Sequence, residues 1–414
     1  MTESVHLLMI PTKKYKTVKI VLRFSAPLEE GTRASRSLLS NVMETNSKKF
    51  PLQTDISRYL AELYGADFQS YVDRKGDIHR VNFVLTIVND SYVENKNLLE
   101  EAVGFLKEII FHPNIKDGSF NSETFQLEQD NLIQSIESLA DDKGFYAKMR
   151  LQELYYKSSK AQGGTNFGTV DEVRELDPKK LAAAYHEMML TNSVDILVMG
   201  DIKKKRVQEL FASFPFVARE SLKTQIFYDE PYTNVIEERT ELEELAQSKL
   251  CLAYHLPIKF SDPSYFPLQV FNGLFGGFPH SKLFMNVREK ESLAYYASSS
   301  FDSFRSFLMV TVGIDGKNRE KVLKLIQTQL LSIAVGKFTR LEFFQTKRML
   351  KNLYLEALDS MDVVIEYEFM NALLPNANFT KQEWLKLLEQ VSEEEVMEVA
   401  KEIKLQAVFF LGET

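Results

Sequence analysis

The 414 residues are 44% hydrophobic and 26% charged, an ordinary globular composition that gives a soft prior of roughly two to three domains. Lys+Arg 50 against Asp+Glu 58 leave a net charge of -8 with both signs interleaved along the chain, so no basic footprint for nucleic acid exists. One cysteine, Cys251, excludes an intramolecular disulfide and a cysteine-cluster metal site, and no window approaches the roughly 18 consecutive apolar residues of a membrane-spanning helix.

The N-terminus places a short apolar stretch before its basic cluster, the reverse of a secretory signal. Together with the lone cysteine this predicts a soluble, cytoplasmic protein.

VKIVLRFSAP (Val18 to Pro27) reads as a strand ending at a proline. Ser57 to Ser70 leads into RVNFVLTIVND in the order helix, turn, strand, strand. Asn97 to Ile110 has apolar residues at helical spacing, and Phe120 to Leu132 predicts another helix with Asn121 as N-cap. VDILVMGDI (Val194 to Ile202) closes the series with a strand and a glycine. The polar stretch EPYTNVIEERTELEE, with Pro231, reads as a surface linker.

Beyond it the same signals return in the same order. KLCLAYHLP (Lys249 to Pro257) is again a strand ending at proline, and Ser281 to Ser299 again leads into a strand, SFLMVTVGID. Asn318 to Ile333 and Phe338 to Leu350 repeat the two long helices, with Thr339 as N-cap, and Ala407 to Thr414 repeats the closing strand. Six elements recurring in order predict a duplicated α+β domain: residues 1–222, a linker at 223–235, and residues 236–414.

Catalytic clusters are scarce. The six histidines, His6, His79, His112, His186, His255 and His280, include no pair at the i, i+4 spacing that puts two imidazoles on one helix face for a shared zinc ion. His186 adjoins Glu187 but has no second imidazole. GGFPHSK (Gly276 to Lys282) lacks the glycine-lysine ending of a phosphate-binding loop, and Cys251 sits inside an apolar strand, where a buried inert thiol is expected.

The stretch HSKLFMNVREKESLAYYASSS (His280 to Ser300), with FNGLFGGFPHS before it, resembles the C-terminal signature of the M16 (pitrilysin) peptidase superfamily, and the duplication extends that resemblance over nearly the whole chain. The resemblance implies two homologous M16-type (LuxS/MPP-like) α+β domains. Each would be an antiparallel-rich mixed sheet with helices packed on one face, together forming one half of a clam shell.

In that family an inverted zinc motif, His-x-x-Glu-His, lies on an early helix. Aligning EEGTRASRSLLSNVMETNSKKF on its GTR puts Asn41, Val42, Met43, Glu44 and Thr45 at the motif. Both histidines are replaced, whereas Glu44 stands at the general-base position. The family's third ligand falls in LIQSIESLADD on Ser135, with Glu137 as the alternative, and Glu128 matches a supporting glutamate. No metal or other cofactor is therefore expected in this chain. Without zinc, Glu44 has no activated water to serve, since the metal is what lowers the water pKa to about 7.

The arginine and tyrosine that hold substrate near the metal in family enzymes map onto Arg288 and Tyr295, with Tyr296 if the register differs by one. Arginine and tyrosine together offer donors suited to peptide carbonyls and a developing oxyanion. A plainer alternative pairs Arg288 with Glu289 or Glu291 on a helix surface and puts Tyr295 in the core. The resemblance thus implies a zinc-lacking subunit that complements a zinc-bearing M16 partner, as a heterodimer or with a second copy of itself, on a peptide held by strand addition. The competing readings are a self-sufficient zinc endopeptidase with an unusual site and a catalytically dead peptide-binding or scaffold protein.

Overall fold

A computed structural model describes residues 4–94, 96–219 and 225–413. The chain divides into two compact units, residues 1–138 with 165–226, and residues 139–164 with 227–414. Residues 220–224, where the end of the first domain and the start of the linker were expected, lie outside the described residues.

In the first unit the strands are β1 (Val5–Pro11), β2 (Thr17–Pro27), β3 (Asp67–Lys75) and β4 (Ile78–Val88), a short ribbon of β5 (Ile115–Lys116) and β6 (Ser119–Phe120), and β7 (Ser193–Gly200). The main sheet runs β1-β7-β2-β4-β3, antiparallel except for the parallel β1 and β7. β2 and β4 are central strands and bury nearly every residue, which is why both read as almost continuous apolar runs.

The helices are α1 (Arg33–Thr45), α2 (Gln53–Glu62), α3 (Leu98–Phe111), α4 (Ser122–Leu139), α7 (Val170–Arg174), α8 (Pro178–Thr191) and α9 (Lys204–Ala212). Leu38, Leu39, Val42 and Met43 of α1 and Leu98, Ala102, Leu106 and Ile109 of α3 bury their apolar stripes in one core with the sheet. Each fully buried aliphatic side chain of this kind contributes about 1.5–3 kcal/mol.

A buried arginine locks α1 to the sheet. Arg36 donates from Nε to His79 Nδ1 at 2.9 Å, and from Nη2 to the carbonyls of Phe24 at 2.9 Å and His79 at 3.1 Å. His79 Nε2 faces the Asn166 carbonyl at 3.0 Å, which fixes Nε2 as the protonated nitrogen and Nδ1 as the acceptor. Burial first, then the Arg36 charge, pushes the His79 pKa down to about 3, so the ring is neutral.

The second unit repeats the plan. Its strands are β8 (Glu237–Glu243), β9 (Ser248–His255), β10 (Ala294–Asp302), β11 (Phe307–Ile314) and β12 (Lys404–Glu413), in the order β10-β11-β9-β12-β8, again with one parallel pair at one end. Strand by strand this is the order of the first sheet, so the duplication read from the sequence is a duplication of topology. The helices are α10 (Tyr265–Asn272), α11 (Arg319–Ala334), α12 (Arg340–Ala357), α13 (Met361–Leu373), α14 (Lys381–Gln390) and α15 (Glu393–Glu402). Reciprocal capping boxes start three of them, at Thr339 and Glu342, Thr380 and Glu383, and Ser392 and Glu395.

The segment Leu139–Gly164 belongs with this second unit although it precedes the boundary expected near residue 222. It carries α5 (Lys143–Tyr155) and α6 (Lys160–Gly163). Asp142 caps α5 by accepting from the Gly144 and Phe145 amides. Ala147, Leu151, Tyr155 and Tyr156 pack on Cys251, Ala253, Ala407 and Phe409, covering the sheet face opposite α10 to α15. Arg305 completes the join by donating to Gln162 Oε1 at 2.8 Å and Gln152 Oε1 at 3.1 Å, with its guanidinium 4.3 Å from the Tyr156 ring centroid.

The stretch expected as a surface linker is also anchored to this unit. The Tyr228 amide donates to the Phe304 carbonyl at 2.8 Å, Glu230 is buried and accepts from the Ser158 amide at 2.9 Å, and Gln406 Oε1 accepts from the Thr233 amide at 2.9 Å.

Candidate functional site

The positions that match the zinc motif fall on the last turns of α1. Val42 and Met43 are core residues, whereas Asn41, Glu44 and Thr45 are half-buried. Thr45 turns its hydroxyl back to the Val42 carbonyl at 3.1 Å. Glu44 Oε2 accepts from the Ser70 amide of β3 at 3.1 Å, and four residues earlier Ser40 Oγ lies 2.7 Å from Ser70 Oγ.

Burial raises the Glu44 pKa, the Ser70 amide opposes that shift, and the charges of Glu128 and Asp67 add to it. Glu128, on α4, is itself 8% exposed and has its pKa raised by burial, with Asn131 donating to it at 3.3 Å. Ser135 is exposed and donates to the Asn131 carbonyl at 2.8 Å, while the alternative Glu137 pairs with Arg174 at 3.3 Å.

Zinc needs at least three strong donors, usually imidazole or thiolate. An amide, two hydroxyls each bonded back to a carbonyl of its own helix, and a carboxylate engaged with a backbone amide do not meet that need. Among the described residues no group of three or more His, Cys, Asp or Glu side chains is placed to hold a metal ion.

The second-unit residues occupy a different environment. α10 continues into a widened π-type turn at Gly273–Gly277, and a second such turn, Phe284–Lys290, carries Arg288. Widened turns of this kind rotate side chains out of the ordinary helical register and recur at functional sites. His280, with its pKa lowered by burial, contacts Thr346 Oγ1 at 2.8 Å, and Lys282 pairs with Glu342 at 2.8 Å, so the entry to this turn is tied to α12.

Arg288 lies over the Phe284 ring at 4.5 Å and places Nε 3.4 Å from Glu289 Oε1. The ring and the carboxylate limit the guanidinium's rotamers, the stacking contributing about 0.5–1 kcal/mol. Glu291 pairs instead with Lys321 at 3.0 Å.

Ser292 takes a positive φ of 53, and the pairing of β10 with β11 slips between Ala294 and Tyr296, leaving Tyr295 in a bulge. Tyr295 is consequently 67% exposed and not part of the core. Tyr296 turns inward beneath Lys249, and burial pushes its pKa up to about 12. Arg288 and Tyr295 line one open cleft of about 600 Å³ together with Ser292, Asp315 and Lys317, the last two paired at 2.6 Å.

A family profile described as "Peptidase M16 inactive domain" matches residues 175–350. A Bacillus subtilis protein named "Probable inactive metalloprotease YmfF" is 33% identical over 98% of this chain and 95% of its own length. The chain belongs to the M16 peptidase family. A conserved protein from Enterococcus faecalis has a crystal structure that superposes with a TM-score of 0.97 at 51% identity, covering 100% of this chain and 97% of that one. A Helicobacter pylori protease superposes with a TM-score of 0.80 at 16% identity, covering 100% and 98% of the two chains, a likeness of fold.

Within this M16 chain the residues matched from sequence fall into two groups. In the first unit the Glu128 charge acts on Glu44, and in the second Arg288 and Tyr295 share a cleft. Among the described residues, Asn41, Thr45 and Ser135 are not joined by a group of three or more His, Cys, Asp or Glu side chains that could hold a metal ion. Sequence reasoning missed Ser40 and Ser70, whose meeting depends on the packing of α1 against β3. Phe284 was in principle readable, four residues before Arg288 on the same helical face.

Proposed function

We propose that this chain is the zinc-free subunit of an M16-type peptidase, pairing with a zinc-bearing homologue and supplying Arg288 and Tyr295 to the peptide held at the partner's metal. One observation carries this reading. Two exposed donors converge on an open cleft, while the ligand positions on α1 and α4 offer no donor set for zinc.

The role asked of the pair is electrostatic. The guanidinium and the phenol hydroxyl would donate to substrate carbonyls and to the oxyanion that develops when water attacks, worth about 10²-fold or more in rate for a well-placed donor. Phe284 and Glu289 hold the guanidinium, and the bulge at Tyr295 holds the hydroxyl outward. The name borne by the Bacillus subtilis relative accords with a chain that does not cut peptide bonds alone. A single buried cysteine accords with a reducing, cytoplasmic location.

The test is to purify the chain alone and together with the zinc-motif-bearing M16 homologue of the same source, then measure bound zinc and cleavage of an unstructured peptide library. Cleavage that appears only in the mixture, and falls with Arg288→Ala without loss of association, supports the reading. Zinc and cleavage in the lone chain would instead establish a self-sufficient peptidase. Peptide binding without cleavage in either sample would establish a scaffold.

A further inference from the structure

β3 is the terminal strand of the first sheet, bonded to β4 on one side only. In an antiparallel pair each residue turns its N–H and C=O either both toward the partner strand or both away from it. The Ser70 amide is donated to Glu44 Oε2 of α1 at 3.1 Å, which makes it one of the outward-turned groups of this edge. Ser40 Oγ meets Ser70 Oγ at 2.7 Å, so α1 reaches one edge residue twice, from positions i and i+4.

The strand is otherwise suited to pairing. Phe68, Ser70 and Val72 are buried, and Asp67, Gln69 and Tyr71 alternate with them toward solvent. It is a regular edge, and regular edges are templates for extended peptides.

We propose that Glu44 closes the β3 edge of this chain against main-chain pairing, so that the first unit takes up an extended peptide only when the Glu44 carboxylate has released the Ser70 amide. The physical basis is competition. A carboxylate accepting a backbone N–H makes a charge-assisted bond, roughly twice as strong as the neutral amide-carbonyl bond an incoming peptide would offer the same donor. The peptide would also leave Glu44, with Glu128 and Asp67 nearby, without the amide that offsets its burial. A glutamate that serves no activated water thus acts as a built-in competitor for the edge. The proposal concerns this chain by itself and does not rest on the zinc-bearing partner.

The experiment uses the full chain, hydrogen exchange resolved at Ser70, and a fluorescein-labelled peptide of alternating valine and lysine as the probe. In Glu44→Ala the Ser70 amide should exchange about tenfold faster and the probe should bind about tenfold more tightly, with new protection across residues 68–72. Glu44→Gln keeps an oxygen acceptor and should stay within roughly threefold of the original chain on both readouts. Glu44→Leu keeps side-chain volume without an acceptor and repeats the test should the alanine chain fail to fold. Unchanged Ser70 exchange, or a probe bound no more tightly once the acceptor is gone, would overturn the proposal, whatever the lone chain or a heterodimer does to peptide bonds.

Discussion

A serine on the edge strand meets the neighbouring helix in both units, and the two meetings differ. In the first, Ser70 Oγ meets Ser40 Oγ at 2.7 Å and its amide donates to Glu44 at 3.1 Å. In the second, Ser299 Oγ donates to Asn272 at 2.7 Å, and Gly276 lets the backbone come so near that a Cβ there would stand 2.6 Å from Ser299 N and Oγ. One copy keeps a carboxylate at this contact, and the other has an asparagine amide beside a glycine. A duplicated scaffold can therefore keep a helix-to-edge contact while changing the side chains that make it.

The largest expected effect breaks the comparison on the glycine side. Gly276→Ala forces a Cβ onto backbone and should cost the second unit about 3 kcal/mol. The single tryptophan, Trp384, is stacked on Tyr354 at 3.7 Å within this unit, so its fluorescence during urea unfolding reads the loss. An unchanged transition would mean the helix end can shift freely. Next, Arg288→Ala should lower the turnover of an assembled heterodimer by roughly 10²-fold with association intact. Equal turnover would remove the arginine from the reaction.

A third difference lies in pH response. His79 is held neutral in the first unit with a pKa of about 3 against an ordinary 6.5, so the folded state binds its proton less readily than the unfolded state. The stability tied to the neutral ring is complete above pH 6.5 and is lost as pH falls from there toward about 3, at about 1.4 kcal/mol per pH unit. Hydrogen exchange in the first unit should show this slope between those limits, and His79→Gln should flatten it. The smallest effect is Tyr295→Phe, which removes one exposed hydroxyl and should lower heterodimer turnover about tenfold while leaving the Trp384 transition in place.

The duplication was legible because each copy writes the same order of apolar runs and helical stripes, and sheet order follows from that. The allegiance of Leu139–Gly164 was not. Tyr155 and Tyr156 look like any amphipathic helix end, and only the small residues Cys251, Ala253 and Ala407 on a distant sheet make room for them. Asn41, Thr45 and Ser135 were named from the sequence only as the positions that the family resemblance puts at its zinc ligands. What Glu44 does was not legible, since its partner Ser70 is fixed by the packing of α1 along β3.

Arg288 and Tyr295 were named by their motif, but their shared cleft depends on a π-type turn and a strand bulge that no local periodicity announces. The tyrosine expected as the alternative, Tyr296, points inward for the same reason.

The central claim is that this chain completes another subunit's site and has none of its own. Zinc content and peptide cleavage, measured on the lone chain, on the zinc-bearing homologue alone and on the two mixed, test it most directly. The account predicts no zinc and no cleavage in the lone chain and cleavage in the mixture well above that of the homologue alone. Stoichiometric zinc with chelator-sensitive cleavage in the lone chain would contradict it.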